Sequence, residues 1–320
     1  MTTTRPRKIP VPPRADGMRL DRFLAKRFVD RSRAWFLKGI QQGEVCDEDN
    51  QPLRASTRVR QGQILHLFLP GIAPEGEPPP MPPVLYEDDR MLVIDKPPGL
   101  LAHPTGTSFA WSVIGLARNA WPGQDLDLVH RLDRDTSGCL VLSRDLEANR
   151  FLKRAFIEGQ VEKHYEAIVR GQVPWDEQTL EGPIGPKGGI IRIQMGVRED
   201  GLSAKTVVRV LERQEDRTRV SCRIHTGRTH QIRVHLEAAG FSILGDRMYG
   251  VEPEVFLRTL DHGADTRVVR AAGAPRQALH AAKICFPHPE GSSVEVTSPT
   301  PDDMTRWWEN PLVLPLDQLA

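Results

Sequence analysis

One tract, residues 71–83 with the sequence GIAPEGEPPPMPP, decides the layout of this 320-residue chain. Proline and glycine dominate it and almost nothing in it can be buried. Neither a helix nor a strand runs through such a stretch, so the chain must fold as separate parts on either side of a semi-rigid connector. Its length suits a small module ahead of the tract and a large one after it. The expected boundaries are a flexible start over 1–16, a first folded module over 17–70, the connector over 71–83, a main domain over 84–305 and a tail over 306–320.

The two parts differ in charge. Residues 1–70 hold 14 Lys+Arg against 7 Asp+Glu, a net +7, and since the whole chain carries +1, the remainder carries −6. A basic module attached to a body that is not basic suggests contact with a polyanion, although an ordinary solvated surface gives the same count. Within it Leu20, Phe23, Leu24 and Phe28 stand at helical spacing, and Trp35, Phe36 and Ile40 repeat the pattern. Ser32 is placed to cap that second helix and Gly43 to end it. Short strand-like pieces follow at 44–46 and 63–69, which makes a small α+β unit.

Beyond the connector, strands outnumber helices. Residues 84–96 read as two strands around the turn EDDR, and further strands are expected at 163–173, 204–211, 220–224 and 277–286. Helices are expected at 110–120, 146–158 and 229–239, the last capped by Thr226 or Thr229 and closed by Gly240. No βαβ alternation is visible. The fold class is therefore α+β, with a mixed, mainly antiparallel sheet in the large domain. No apolar run reaches the roughly 18 residues that cross a bilayer, and the start lacks a secretory stretch, so no membrane partner is expected and the cytoplasm is the expected address. Cys46, Cys139, Cys222 and Cys285 lie too far apart for a metal knuckle or redox pair and read as reduced thiols. With no dinucleotide loop or P-loop either, no cofactor and no metal are expected.

The densest chemistry is VHRLDRDTSG at 129–138, where a His, two Arg and two Asp sit between the apolar runs 126–129 and 139–142. A loop held between rigid strands is a common place for a reactive group, and a solvated hairpin tip with surface ion pairs looks the same in sequence. Spacing does not choose between Asp133 and Asp135. Used together, they would suit a glycoside hydrolase, which needs two carboxyl groups about 5–9.5 Å apart.

Residues 130–138 match the H-R-L-D-x-x-T-S-G signature at every fixed position, and here the chain resembles the RluA-like pseudouridine synthases. The resemblance implies that Asp133 is the catalytic aspartate, that Asp135 occupies a variable position, and that Arg131 helps displace the target base from the RNA stack. It extends to KHYEA at 163–167, whose Tyr165 is implied to pack on the uracil ring. It also covers DKPPGLLAHPT at 95–105, RIHTGRTHQIRVH at 223–235 and GDRMYG at 245–250. In the second of these, Ile232, Leu236 and Ala239 form a buried stripe, so Arg233 faces another side and is implied to pair with Asp133. Substrate contacts are implied for Arg131, His130, Thr136, Arg228 and Gln231. The first module, over 17–69, resembles an S4-type RNA-binding domain, with the acidic CDEDNQ where that family has a V-N-G-like turn.

The resemblance thus implies an RNA pseudouridine synthase, an isomerase that needs no cofactor and acts on selected uridines. Large-subunit ribosomal RNA is the expected substrate, transfer RNA the other candidate, and a monomer the expected state. The competing reading is an RNA-binding or ribosome-assembly protein that keeps the fold without activity, which predicts a damaged site.

Overall fold

The computed structural model describes residues 6–28, 31–69, 78–103 and 111–310. Contacts divide these into two compact units: residues up to 79 with Trp111, and residues 80–103 with those from Ser112 on. The division falls within the expected connector, whose residues 71–77 lie outside the described part.

The first unit is built as the sequence suggests. Helices α1 (Leu20–Arg27) and α2 (Arg33–Gln41) follow a strand β1 (Arg7–Pro10) and precede β2 (Val45–Cys46) and β3 (Ile64–Leu67). Ser32 caps α2, its Oγ accepting a hydrogen bond from the Trp35 N–H at 3.1 Å. The four apolar residues of the first helical pattern are all buried, together with Phe36 and Ile40. The expectation of a flexible start over 1–16 needs correction. Strand β1 pairs antiparallel with β3, in a sheet of order β1-β3-β2, and buries Ile9, with Val11 buried just after it. Asp21, fully buried, joins the two helices through Arg19 at 3.1 Å and Arg33 at 2.6 Å, and the hydrogen bonds from Arg19 first among these pull its carboxyl down to about 2.

The second unit runs through β4 (Val84–Glu87), β5 (Met91–Lys96), α3 (Val113–Ala120), β6 (Asp127–Leu128), β7 (Ser137–Ser143), α4 (Leu146–Ile157) and β8 (Glu162–Arg170). It continues with β9 (Glu177–Glu181), β10 (Ile184–Pro186), β11 (Met195–Val197), β12 (Lys205–Arg213), β13 (Arg217–Ile224) and α5 (Gln231–Ala238). It ends with α6 (Pro253–His262), α7 (Thr266–Ala272), β14 (Leu279–Pro287), β15 (Ser293–Thr297) and α8 (Asp302–Glu309). The main sheet has the order β4-β5-β7-β14-β8-β13-β12-β9, with β15 beside β14 and β6 beside β7. All of its described pairings are antiparallel except β7 with β14, so the sheet is mixed and mainly antiparallel.

Both faces of the sheet are covered. Along β5, Leu92 and Ile94 enter one core with Val113 and Leu236, while Met91 and Val93 enter another with Leu152 and Phe286. That two-residue alternation with both sides apolar explains why the strand reads as one hydrophobic run. The tail expected from residue 306 also needs correction, because α8 extends to Glu309 and buries Met304, Trp307 and Trp308 against the first of these cores.

The parallel pairing fixes the place where the chain enters β7. Ser137 pairs with His280 and Gly138 with Ala281. Gly138 has φ +107°, and a Cβ there would stand 2.3 Å from the Ala281 carbonyl oxygen. No other residue could let the two backbones approach this closely.

Candidate active site

The loop that carries Asp133 leaves β6 and re-enters the sheet as β7, and its backbone is held from below. Lys96, fully buried, points its ammonium at the carbonyls of Pro97 (2.8 Å), Leu100 (2.8 Å) and Arg134 (2.9 Å). Burial pulls this lysine down to about 7, against the upward pull of Asp135 and Asp133. Arg276 donates to the Asp135 carbonyl at 3.3 Å and is itself fixed by Asp303 at 2.7 Å. The Asp135 carboxylate is taken by Arg247 and by Arg134. A loop tied so closely beside Asp133 presents its reactive group in one place.

Asp133 sits at the wall of a cavity of about 760 Å³, its side chain 29% exposed. Tyr165 from β8, Arg131 and His130 from the same loop, and Arg228 from the turn before α5 line that cavity with it. A smaller recess of about 80 Å³ adjoins, where Arg233 and Gln231 also contribute. Asp135 lines neither space, so the paired-carboxylate arrangement of a glycoside hydrolase is not formed.

Arg233 Nη1 donates to Asp133 Oδ2 at 2.9 Å, the pairing that the motif resemblance implied. The rest of the guanidinium is engaged by Asp246, to which Nε donates at 2.6 Å and Nη2 at 2.9 Å. Asp246 is fully buried and also accepts from the Met248 and Tyr249 N–H groups at 2.9 and 3.2 Å. Sequence reasoning assigned Asp246 no role. The only signal was its place in GDRMYG, 13 residues after Arg233. Burial works to raise the Asp133 carboxyl, but the charge of Arg233, with smaller help from a Gln277 hydrogen bond, outweighs it and holds the group below its usual range. Arg233 itself is pushed up: burial opposes its charge and the two carboxylates overcome that. The result is a carboxylate that stays ionised on the wall of a cavity, which suits it to act as a base or nucleophile.

The other expected site residues divide into two groups. Arg131 is exposed at the cavity and its guanidinium forms no hydrogen bond or ion pair among the described residues, so it is available to an incoming group. Tyr165 is 8% exposed, with its hydroxyl pushed up by burial and by Asp133, and stays protonated. Arg228 spends one donor on the Ser203 carbonyl at 3.1 Å. Three others are engaged by the protein itself. Thr136 is buried and accepts from Gln277 at 2.7 Å. Gln231 donates to the Lys205 carbonyl and the Thr206 hydroxyl at 3.0 Å and accepts from Thr226 at 2.6 Å and from the Arg228 N–H at 3.1 Å. His130 accepts from the Val141 N–H at 3.1 Å and stacks on Phe156 at 4.9 Å between ring centroids.

Two details of α5 differ from expectation. Neither Thr226 nor Thr229 caps it; His230 occupies that position with φ 58°, and Thr226 instead bonds Gln231. Nor is the buried side a stripe of Ile232, Leu236 and Ala239, since Gln231, Arg233, Val234 and His235 are buried as well. The helix is enclosed nearly all round, so Arg233 reaches Asp133 from inside the protein rather than from its surface.

His130 makes a pH effect calculable. Burial first, and Lys163 second, hold its imidazole down at about 3, below its unperturbed 6.5. Between those values the unfolded chain binds a proton that the folded protein refuses. Stability therefore falls as pH is lowered from 6.5 towards 3, by on the order of 1 kcal/mol per pH unit from this group. Urea unfolding of the His130→Gln protein over that range should show a shallower fall than the unsubstituted protein, and equal slopes would count against this account.

The arrangement places one ionised carboxylate, its cation and an aromatic wall around a space large enough for an extruded nucleotide. Comparison with known proteins agrees with it. The family model described as RNA pseudouridylate synthase matches residues 90–238, which include Asp133, Tyr165 and Arg233. A protein of Xanthomonas campestris named ribosomal large subunit pseudouridine synthase D is 36% identical over 313 residues, covering 94% of this chain and 91% of its own. A Bacillus subtilis protein described as an uncharacterized RNA pseudouridine synthase is 34% identical over 309 residues, covering 91% of this chain and 93% of its own. Among solved structures, human RNA pseudouridylate synthase domain containing 1 superposes with a TM-score of 0.56 at 25% identity, covering 78% of this chain and 96% of that one. With identity above one third along nearly the whole length, and a mixed sheet that carries the expected aspartate at the edge of a cavity, the chain belongs to the RNA pseudouridine synthase family, isomerases that act on RNA.

Proposed function

We propose that the protein converts particular uridines of large-subunit ribosomal RNA into pseudouridine, with Asp133 as the acting carboxylate. The observation that carries this reading is the Asp133–Arg233 contact at 2.9 Å on the wall of the cavity, with Arg233 locked from behind by Asp246. The isomerisation breaks the bond between N1 and C1′, turns the uracil and rejoins it through C5. It needs no outside electron or group, so a charged carboxylate, a counter-ion and a confining wall can carry it. Arg131, at the rim, offsets the few kcal/mol needed to draw a base from its stack, and Tyr165 gives the base a surface to lie against.

The names of relatives such as the Xanthomonas and Nitrosomonas enzymes support ribosomal RNA over transfer RNA as substrate. The first unit, basic and built of two helices and a small sheet, serves in this reading as an S4-type RNA-binding module that holds phosphates, with affinity that falls as salt rises. The enzyme acts as a monomer in the cytoplasm. An RNA-binding protein without activity is the weaker reading, because such a protein has no need of a buried Asp246 that orients Arg233 towards Asp133.

The deciding measurement is pseudouridine mapping of total RNA from cells with and without the gene. Loss of one or a few sites in large-subunit ribosomal RNA is the expected result. An unchanged map would overturn the assignment, and sites lost in transfer RNA alone would move the substrate.

A further inference from the structure

His230 has no part in the chemistry assigned to Asp133, Arg233, Arg131 and Tyr165, yet it borders both the main cavity and the recess. Its backbone is held at φ 58° and ψ 20°, the left-handed region that residues other than glycine seldom adopt. That conformation turns the ring towards Asp133, with Nε2 3.9 Å from Asp133 Oδ2.

The hydrogen-bond chain behind the ring determines which nitrogen carries its proton. The Met195 N–H donates to the Tyr249 hydroxyl at 3.0 Å, and that hydroxyl lies 2.9 Å from His230 Nδ1. Tyr249 is 1% exposed. If Nδ1 bore the proton, the hydroxyl would accept twice and its own hydrogen would be buried without an acceptor, which is costly. The hydroxyl therefore donates to Nδ1, and the neutral ring keeps its proton on Nε2, facing Asp133. The ring is neutral because burial first and Arg233 second hold it down to about 4, against Asp133 and Asp246.

An N–H donor and an ionised carboxylate thus stand 3.9 Å apart, too far to bond to each other, on the wall of the same cavity. An oxygen about 2.8 Å from each would see them at an angle of about 90° and could bond to both. Such an atom must accept from Nε2–H and donate to the carboxylate. A uracil carbonyl can only accept and the N3–H can only donate, whereas a hydroxyl does both. We infer that His230 and Asp133 together bind the 2′-hydroxyl of the target ribose, so that the site selects ribonucleotides over deoxyribonucleotides at the modified position. The placement is consistent with the chemistry, because C2′ adjoins the C1′ whose bond to the base must break. The inference rests on Asp133 being the acting carboxylate.

The test uses RNA whose converted uridine carries either a ribose or a 2′-deoxyribose, bound to the Asp133→Asn protein, whose amide oxygen still accepts a hydrogen bond. Loss of the 2′-hydroxyl should weaken binding by on the order of 25-fold while His230 is present, the effect of two hydrogen bonds of about 1 kcal/mol each. With His230→Ala added, that ratio should fall to about fivefold, the bond to residue 133 alone. An unchanged ratio overturns the inference. Nitrogen chemical shifts of the His230 ring in the wild-type protein provide a second arm that needs neither RNA nor a variant. They should show Nε2–H between pH 6 and 8, and an Nδ1–H ring overturns the inference by itself. Failure of the functional reading would be seen separately, as wild-type protein that forms no pseudouridine at all.

Discussion

The Asp133→Asn protein should bind its RNA and fail to isomerise it, with turnover reduced by on the order of 10⁴-fold or more. Asparagine keeps the shape of the side chain and an oxygen for Arg233, but it removes the charge that the site is built to preserve. In the native protein one guanidinium faces two carboxylates, Asp133 at 2.9 Å and Asp246 at 2.6 Å, so the cluster keeps one negative charge in excess. That excess resides where the cavity reaches it, on Asp133. Because Arg233 holds this carboxyl below its ordinary range, the rate should also show no acid limb near pH 4, where a free carboxylate would begin to protonate. Release of the C5 hydrogen from labelled uridine in RNA measures turnover, and filter binding at fixed salt measures affinity. Normal turnover by Asp133→Asn would remove Asp133 from the chemistry.

Asp246→Ala should be nearly as damaging, although this residue borders neither the main cavity nor the recess. Its carboxylate takes two donors of Arg233 and the N–H groups of Met248 and Tyr249. Without it a buried arginine keeps one exposed-side partner, and two backbone donors lose their acceptor. Breaking a buried pair of this kind costs about 3–5 kcal/mol of stability. Arg233 would also be free to turn, and a misplacement of about 1 Å at a site that works by positioning costs about 10²-fold in rate. Urea unfolding and single-turnover rates on the same preparation separate the two effects. Asp246→Asn, which keeps the volume, should recover part of the stability and less of the rate. If the alanine protein matched the native one in both, the buried bidentate pair would have no function here.

How legible this site was depends on what each residue does. Asp133, Tyr165 and Arg233 could be named from short stretches because each motif joins a reactive side chain to the loop, strand or helix that carries it. Asp246 could not, since its meaning lies in a contact that exists only after the chain has folded back on α5. A motif position states which side chain belongs there, not which way it faces. His130, Thr136 and Gln231 fit the pattern and are engaged inside the protein, where they fix the loop and the start of α5. The elements were legible where period and cap agreed, as for α2 behind Ser32. The pattern failed at the ends of the units. Strand β1 is made by its partner β3 and not by its own composition. The two tryptophans of α8 lie beyond residue 305, where the main domain was expected to end.

The parallel seam between β7 and β14 has a consequence for how the protein comes into being. It joins Ser137 to His280 and Gly138 to Ala281, and the loop it anchors is tied also to Lys96, Arg247 and Arg276. During synthesis the ties to residues 247, 276, 280 and 281 cannot form until the last part of the chain leaves the ribosome. Pairings so distant in sequence form late and slowly. A nascent chain that has not yet reached these residues therefore lacks the ties that hold the Asp133 loop in one place.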